Sequence, residues 1–251
     1  MLVTGGCGFI GSAVLRNLVA AGYKSIINVD ALTYAGNEAT VVEETKYPGY
    51  HFEHADIRDL DQMRAIFSRH SPDAVMHLAA ESHVDRSIDG PGMFIETNIR
   101  GTYNLLEVVR ELDARKSTSE RKIRFHHIST DEVYGTLGAE GFFSEESRYD
   151  PNSPYSASKA ASDHLVRAWG ETFGVDIVVS NCSNNYGPYQ YPEKLIPVVI
   201  HRALADQPIP VYGNGNNVRD WLYVDDHADA LVTVMQSGLG GRTYNIGGDS
   251  E

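Results

Sequence analysis

The sequence predicts an α/β fold organised on a doubly wound parallel sheet, and three observations carry that prediction. Short apolar runs alternate with amphipathic stretches from the first residues to about position 182, the pattern of strands joined by crossover helices. The first run ends in a glycine cluster that leads directly into a helical pattern. Several chemically informative residues (Asp30, Asp56, Ala80, Thr130) fall just after strand ends, where open parallel sheets bind their ligands.

Taken in order, Leu2-Val3-Thr4 reads as a strand, Gly5-Gly6-Cys7-Gly8-Phe9-Ile10-Gly11 as a turn, and Ser12 to Ala21 as a helix with Val14, Leu15, Leu18 and Val19 on its apolar face. This strand–glycine–helix order is the Rossmann-type dinucleotide fingerprint: glycines admit the turn and let a pyrophosphate approach the backbone at the positive end of the helix. Gly6, Gly8 and Gly11 satisfy one spacing and Gly5, Gly8 and Gly11 a wider one. The next run, Ser25 to Val29, ends at Asp30, about twenty residues on, as expected of an acid that binds a ribose 2′-hydroxyl. A carboxylate there repels a 2′-phosphate, so NAD is favoured over NADP.

Further along, His51 to Asp56 reads as a strand, Leu60 to Arg69 as a helix, Ala74 to Ala80 as a buried strand and Phe94 to Leu112 as a long helix. A polar linker from Lys116 to Lys122 precedes a strand from Arg124 to Ser129. Asp150 to Pro154 is a break with N-cap chemistry ahead of a helix containing Tyr155, and Ile177 to Ser180 is another strand. The predicted dinucleotide-binding domain covers residues 1–182, and residues 183–251 form a smaller, mixed substrate-side part that returns to the main sheet. There, Ser183 to Pro188 is predicted as a loop, Lys194 to about Ala205 as a helix, and Pro210 to Gly213 and Arg219 to Val224 as substrate-side strands or loops.

Composition narrows the function. The chain has 251 residues, 42% of them hydrophobic, enough for one large core or one and a half domains. Its charge, 21 − 34 = −13, argues against nucleic-acid or acidic-membrane surfaces. Cys7 and Cys182 are far apart and lack metal-ligand spacing, so neither a disulfide framework nor a zinc site is expected. The N-terminal apolar run is broken by glycines and no run is long enough to span a bilayer, so the expected location is the cytoplasm.

Two fragments carry the chemistry. In Tyr155-Ser156-Ala157-Ser158-Lys159, a helix puts Tyr and Lys on one face, one turn apart. An ammonium beside a phenol favours the phenolate, which then takes a hydroxyl proton near neutral pH. In Ser129-Thr130-Asp131-Glu132-Val133-Tyr134-Gly135, a hydroxyl is followed by two carboxylic groups, an acid and a base beyond what alcohol oxidation needs.

These residues, with Asn184-Asn185-Tyr186-Gly187-Pro188, resemble the extended short-chain dehydrogenase/reductases that act on nucleotide sugars. The blocks Ala80 to Ser87, Ser129 to Gly135, Ser153 to Lys159 and Arg219 to Val224 are similar to the dTDP-glucose 4,6-dehydratase group within it. The resemblance implies catalytic roles for Thr130, Asp131, Glu132, Tyr155 and Lys159. Tyr155, with Lys159 and Thr130, deprotonates the C4 hydroxyl as hydride leaves for NAD; Glu132 takes the C5 proton; Asp131 protonates the departing C6 hydroxyl; hydride then returns to C6. The implied cofactor site is Gly5, Gly8, Phe9, Ile10, Gly11, Asp30, Ala31, Leu32, Thr33, Asp56, Ile57, Leu78, Ala79, Ala80, Ser82, Thr97, Tyr155, Lys159 and Asn185. The implied nucleotide-sugar site is Ser82, Thr130, Asn184, Lys194, Leu195, Pro210, Val211, Tyr212 and Arg219. A homodimer joined through the helices Phe94–Leu112 and Pro154–Phe173 is implied as well. No metal is expected, and no chemistry is assigned to His77 or His83.

The sequence departs from the family at Cys7, where Ala is common, and in a shorter segment from Thr136 to Ser147. Family members also continue past Gly247-Gly248, so an incomplete substrate domain is expected. A UDP-glucose 4,6-dehydratase or a 4-epimerase of the same fold is the nearer alternative, and Asp131-Glu132 argues against the epimerase. A non-catalytic NAD-binding regulator is the distant one, opposed by the intact Thr130, Tyr155 and Lys159.

Overall fold

The computed structural model describes residues 1–117, 119–137, 141–211 and 214–248. Seven parallel strands form the central sheet: β1 (Leu2–Thr4), β2 (Ile26–Asp30), β3 (Tyr50–His54), β4 (Ala74–His77), β5 (Arg124–Thr130), β6 (Asp176–Cys182) and β9 (Thr243–Ile246). Their order is β3-β2-β1-β4-β5-β6-β9. The chain therefore starts in the middle, winds outward to β3, and returns across β1 to β4, which puts the topological switch point beside the glycine turn.

Burial explains why the strands read as continuous apolar runs. β1, β2 and β5 are buried along their whole lengths, as expected when helices cover both faces of a parallel sheet. On one face, α2 (Leu60–His70), α5 (Thr102–Asp113) and α6 (Pro154–Phe173) bury Phe67, Leu105, Leu106 and Val166 against Leu2, Ile27, Val75 and Phe125. On the other, α1 (Phe9–Ala20) and α8 (Val224–Ser237) bury Val14, Leu15, Leu18, Leu231 and Met235 against Val3, Ile26, Met76 and Ile128. Outside these layers lie α3 (Val84–Asp89), α4 (Pro91–Phe94), α7 (Leu195–Leu204) and a parallel two-stranded sheet of β7 (Asn184–Tyr186) and β8 (Trp221–Tyr223).

Two local expectations change. The segment expected as one helix from Phe94 to Leu112 begins with a π-helical stretch, Ile95–Gly101, before α5. Asn98, buried in that stretch, spends its amide on other segments, accepting from the Glu81 amide (2.8 Å) and donating to the Glu81 carbonyl and the Ser158 hydroxyl. The expected loop 183–188 contains β7, whose pairing with β8 a polar Asn-Asn-Tyr run does not announce. The sequence reading also left α8 undistinguished. Among the described residues no helix is long and apolar enough to cross a membrane.

Candidate active site

The glycine turn decides between the two spacings. Gly5, Gly8 and Gly11 line a cleft of about 340 Å³ above the switch point, whereas Gly6 faces the core. Gly5 has φ +73°, and a Cβ there would stand 2.8 Å from the Ala79 backbone. A Cβ on Gly11 would collide with the Gly5 carbonyl, and one on Gly6 with the Asn28 side chain. Gly8, the N-cap of α1, has no side chain to satisfy the first helical amides, so those amides and the helix dipole remain for an anion. Asp30 closes the far side. It accepts from the amides of Cys7 and Leu32, each at 2.8 Å; burial pushes its carboxyl up and these two hydrogen bonds oppose the shift. Each oxygen keeps a lone pair for a ribose hydroxyl. Glycine cradle, helix end and acceptor fit a dinucleotide.

The cleft runs on past Leu78, Ala79, Ala80 and Ser82 to Thr130, Glu132, Tyr155 and Lys159. A capping box holds the start of α6: the Ser153 hydroxyl and the Ser156 amide are 3.0 Å apart, Ser156 reciprocates at the Ser153 amide, and Pro154 occupies the first turn. This fixes Tyr155 and Lys159 on the face toward β5. The Lys159 ammonium donates to the Ile128 carbonyl at 2.9 Å. Thr130, the last residue of β5, caps the 3₁₀ turn Asp131–Tyr134, accepting from the Glu132 amide at 3.3 Å.

The electrostatics of the unliganded chain differ from the simple Tyr–Lys expectation. Burial raises the Tyr155 phenol well above its ordinary value, the Glu132 charge adds to that, and a hydrogen bond with Thr130 opposes it. Burial likewise lowers the Lys159 ammonium, which Asp163 and Cys182 hold up. Asp131 is pushed up to about 6, by burial first, with the nearby Arg219 opposing. Burial and the Asp131 charge raise Glu132, while Lys194 and Arg219 lower it. Neighbouring acids with raised values suit a proton donor beside a strengthened base.

Most of the expected residues come together. The cleft is also lined by Phe9, Ile10, Ala31, Thr33, Asp56, Ile57, Thr97, Asn184, Asn185 and Lys194. Leu32 is not in the lining: its positive φ (49°) turns it against the core under β2. Asp131 also lies outside the lining, on the side of Arg219 and Asp220. Leu195, Pro210, Val211 and Arg219 do not reach the cleft either, and Leu195 and Val211 are exposed. Tyr212 falls outside the described residues. His77 is held by Thr4 and Thr102 in the core, and His83 caps α3 by accepting from the Arg86 amide.

The sequence reading missed Tyr34, Cys182, Tyr191 and Glu193, all in the lining. Three of these belong to a clasp across the cleft mouth. The Arg86 guanidinium lies 3.7 Å from the Tyr34 ring centroid and pairs with Glu193 at 3.2 Å, and Tyr191 meets Tyr34 edge-on. Such pairing is tertiary and leaves no spacing signal.

Comparison with known proteins agrees with this geometry. The family model described as GDP-mannose 4,6 dehydratase matches residues 2–250. The chain is 58% identical over 261 residues to dTDP-glucose 4,6-dehydratase 1 of Escherichia coli (strain K12), a match spanning 100% of this chain and 72% of that protein. Its fold is similar to the Streptomyces venezuelae dTDP-glucose 4,6-dehydratase described with NAD bound, at TM-score 0.91 and 44% identity, covering 98% of this chain and 74% of that one. It is also similar to the Bacillus anthracis enzyme in complex with NAD, at TM-score 0.89 and 42% identity, covering 99% and 75%. With the glycine cradle, the Tyr155–Lys159 pair and the Asp131-Glu132 acids all present, the chain belongs to the dTDP-glucose 4,6-dehydratase family of extended short-chain dehydrogenase/reductases.

Proposed function

We propose that this chain converts dTDP-glucose to dTDP-4-keto-6-deoxyglucose and water, and that it does so with the five residues Thr130, Asp131, Glu132, Tyr155 and Lys159. The observation that carries the proposal is the continuity of one cleft from the glycine cradle to Thr130, Glu132, Tyr155 and Lys159, with a second raised carboxyl, Asp131, next to Glu132. NAD, when bound, accepts hydride from C4, returns it to C6, and carries a positive ring in its oxidised form.

Tyr155 takes the C4 hydroxyl proton, and Thr130 and Lys159 orient and support its phenolate. A ketone at C4 acidifies the C5 proton, which passes to Glu132, a carboxylate made more basic by burial and by Asp131. Asp131, pushed up to about 6, delivers a proton to the departing C6 hydroxyl, so water and a conjugated enone form together. Glu132 then returns its proton to C5. The electrons balance without an external acceptor. Within residues 183–251, α8 and β9 belong to the core and the remaining segments serve as the substrate side: Asn184 and Lys194 line the cleft, and Arg219, whose charge lowers both acids from outside the lining, suits the diphosphate.

The same reading makes the chain a homodimer joined through 94–112 and 154–173. The exposed Ile95, Tyr103 and Phe173 on these helices support it.

The test is incubation of the NAD-loaded protein with dTDP-glucose and, separately, UDP-glucose, with products read by mass and by proton NMR. Loss of one water from dTDP-glucose without net NADH is the expected result. A C4-epimerised sugar of unchanged mass would replace the dehydratase reading with the epimerase one.

A further inference from the structure

Three chain segments meet at the mouth of the cleft, and their contacts play no part in the proton transfers described above. β1 runs into the glycine turn, and its neighbours in the sheet are β2 on one side and β4 on the other. Tyr34 lies in the segment that follows β2, and Arg86 on α3, which follows β4. The Arg86 guanidinium stands 3.7 Å from the Tyr34 ring centroid. That contact joins the two flanks of the switch-point crevice across the turn that cradles a pyrophosphate.

The third segment comes from the substrate side. Between β7 and α7, Tyr191 meets Tyr34 edge-on with ring centroids 5.6 Å apart, and the Glu193 carboxylate pairs with Arg86 at 3.2 Å. The other Glu193 oxygen lies 3.7 Å from Nε2 of His83, the residue that caps α3. One position on, the Lys194 ammonium donates to the Ser82 carbonyl at 3.2 Å. Tyr34, Tyr191 and Glu193 line the same cleft as Gly5, Gly8 and Tyr155, whereas Arg86 stands outside the lining. Arg86 ties the walls together without being one of them.

We infer that Arg86, acting through Tyr34 and Glu193, is a positioning residue that retains the dinucleotide: a cofactor lying from the glycine turn to Tyr155 leaves only when this clasp opens. The inference rests on the dehydratase reading, which makes retention necessary. Hydride taken from C4 has to return to C6 of the same sugar. Loss of the cofactor between the two transfers strands an oxidised sugar and leaves the protein without the hydride it must give back. The contacts are of a strength that suits a latch. The Arg86 side chain is 48% exposed and that of Glu193 21%, so water screens their attraction. The ring face adds its own pull on the cation. Together they slow opening by about ten- to a hundredfold and still let the clasp part for loading.

The test follows release of the cofactor without turnover. Protein loaded with NAD labelled in its adenine is freed of excess and chased with unlabelled NAD. Arg86→Met keeps the aliphatic stem and loses the guanidinium, and should release label about tenfold faster or more. Tyr34→Leu should also speed release, and Tyr34→Phe, which keeps the ring face, should match the wild type. The double variant Arg86→Met/Tyr34→Leu should be little faster than the faster single one, because the two changes remove a shared contact. With dTDP-glucose and no free NAD, Arg86→Met should lose activity over successive turnovers sooner than the wild type, and added NAD should restore it. Release from Arg86→Met at the wild-type rate overturns the inference, whatever Tyr34→Leu does, and leaves the clasp as a brace for residues 189–194. Should Arg86→Met not fold, Arg86→Gln takes its place in the same comparison. Failure of the wild type to dehydrate dTDP-glucose sinks the functional reading while leaving the release comparison intact.

Discussion

Glu132 and Asp131 are neighbours with opposite duties, and substitutions separate them. Glu132→Gln removes the base that takes the C5 proton while leaving C4 oxidation to Tyr155. Water loss should fall by about 10²- to 10⁴-fold, with reduced-nicotinamide absorbance building up in a single turnover; equal loss of both steps would remove Glu132 from its role. Asp131→Asn tests the donor. The folded chain holds the Asp131 carboxyl up at about 6 against 3.8 ordinarily, so its proton is bound more tightly in the folded state. That contribution to stability is fully present below pH 4 and lost as pH rises through 6. Asp131→Asn should therefore leave the unfolding free energy unchanged in acid and raise it above neutrality, by about 1–3 kcal/mol, while turnover drops. A variant destabilised equally at all pH values would contradict the assignment. Most of this site was legible because residues adjacent in sequence are adjacent in the cleft. What escaped was of two kinds. Tyr34, Tyr191 and Glu193 meet only through the clasp. Asp131 and Arg219, expected in the cleft, stand just behind it, since spacing says nothing of which way a side chain leaves a 3₁₀ turn.

Among the elements, α6 is the one whose start sets the chemistry. Ser153 caps it, and its hydroxyl accepts from the Ser156 amide, one residue past the catalytic Tyr155. Ser153→Ala should cost about 1 kcal/mol and about 2–4 °C in melting temperature for a chain of this size, read by calorimetry. A larger loss of kcat than of stability would show that the cap also aims Tyr155. This cap was announced by Asp150-Pro151-Asn152-Ser153-Pro154. The π-helical stretch was not, because its cause is tertiary: Gly101 packs where a Cβ would stand 2.5 Å from Ile57, and Asn98 is drawn to Glu81 and Ser158. In α8 the buried Val224, Ala228, Leu231 and Met235 recur at helical spacing, so its pattern was there to be read.

At the scale of the whole molecule, the doubly wound sheet was legible because parallel strands covered on both faces read as apolar runs. β9 was not, since Thr-Tyr-Asn-Ile is short and half-buried. Quaternary structure is testable at this scale. Tyr103 and Phe173 flank Trp169, with Tyr103 at 5.9 Å and Phe173 at 5.4 Å, giving α5 and α6 a shared outward aromatic rim, and Ile95 is exposed in the π-helical stretch before α5. Sedimentation of the wild type should give a dimer, and Ile95→Glu with Tyr103→Glu a monomer; a monomeric wild type would discard the proposed interface.

The layer that pairs α1 with α8 has a consequence for biosynthesis. Val14, Leu15 and Leu18 share their core with Val224, Leu231 and Met235, so the helix behind the cofactor turn takes its helical partner on that face from residues made about 200 positions later. At ribosomal rates of about 5–20 residues per second, that apolar face waits on the order of ten to forty seconds for its partner. Chains arrested before Val224 should be cut by protease within Phe9–Ala20, and chains extended past Ser237 should resist. The dinucleotide cradle is encoded first and finished late, which makes the nascent chain a client for chaperones during the interval.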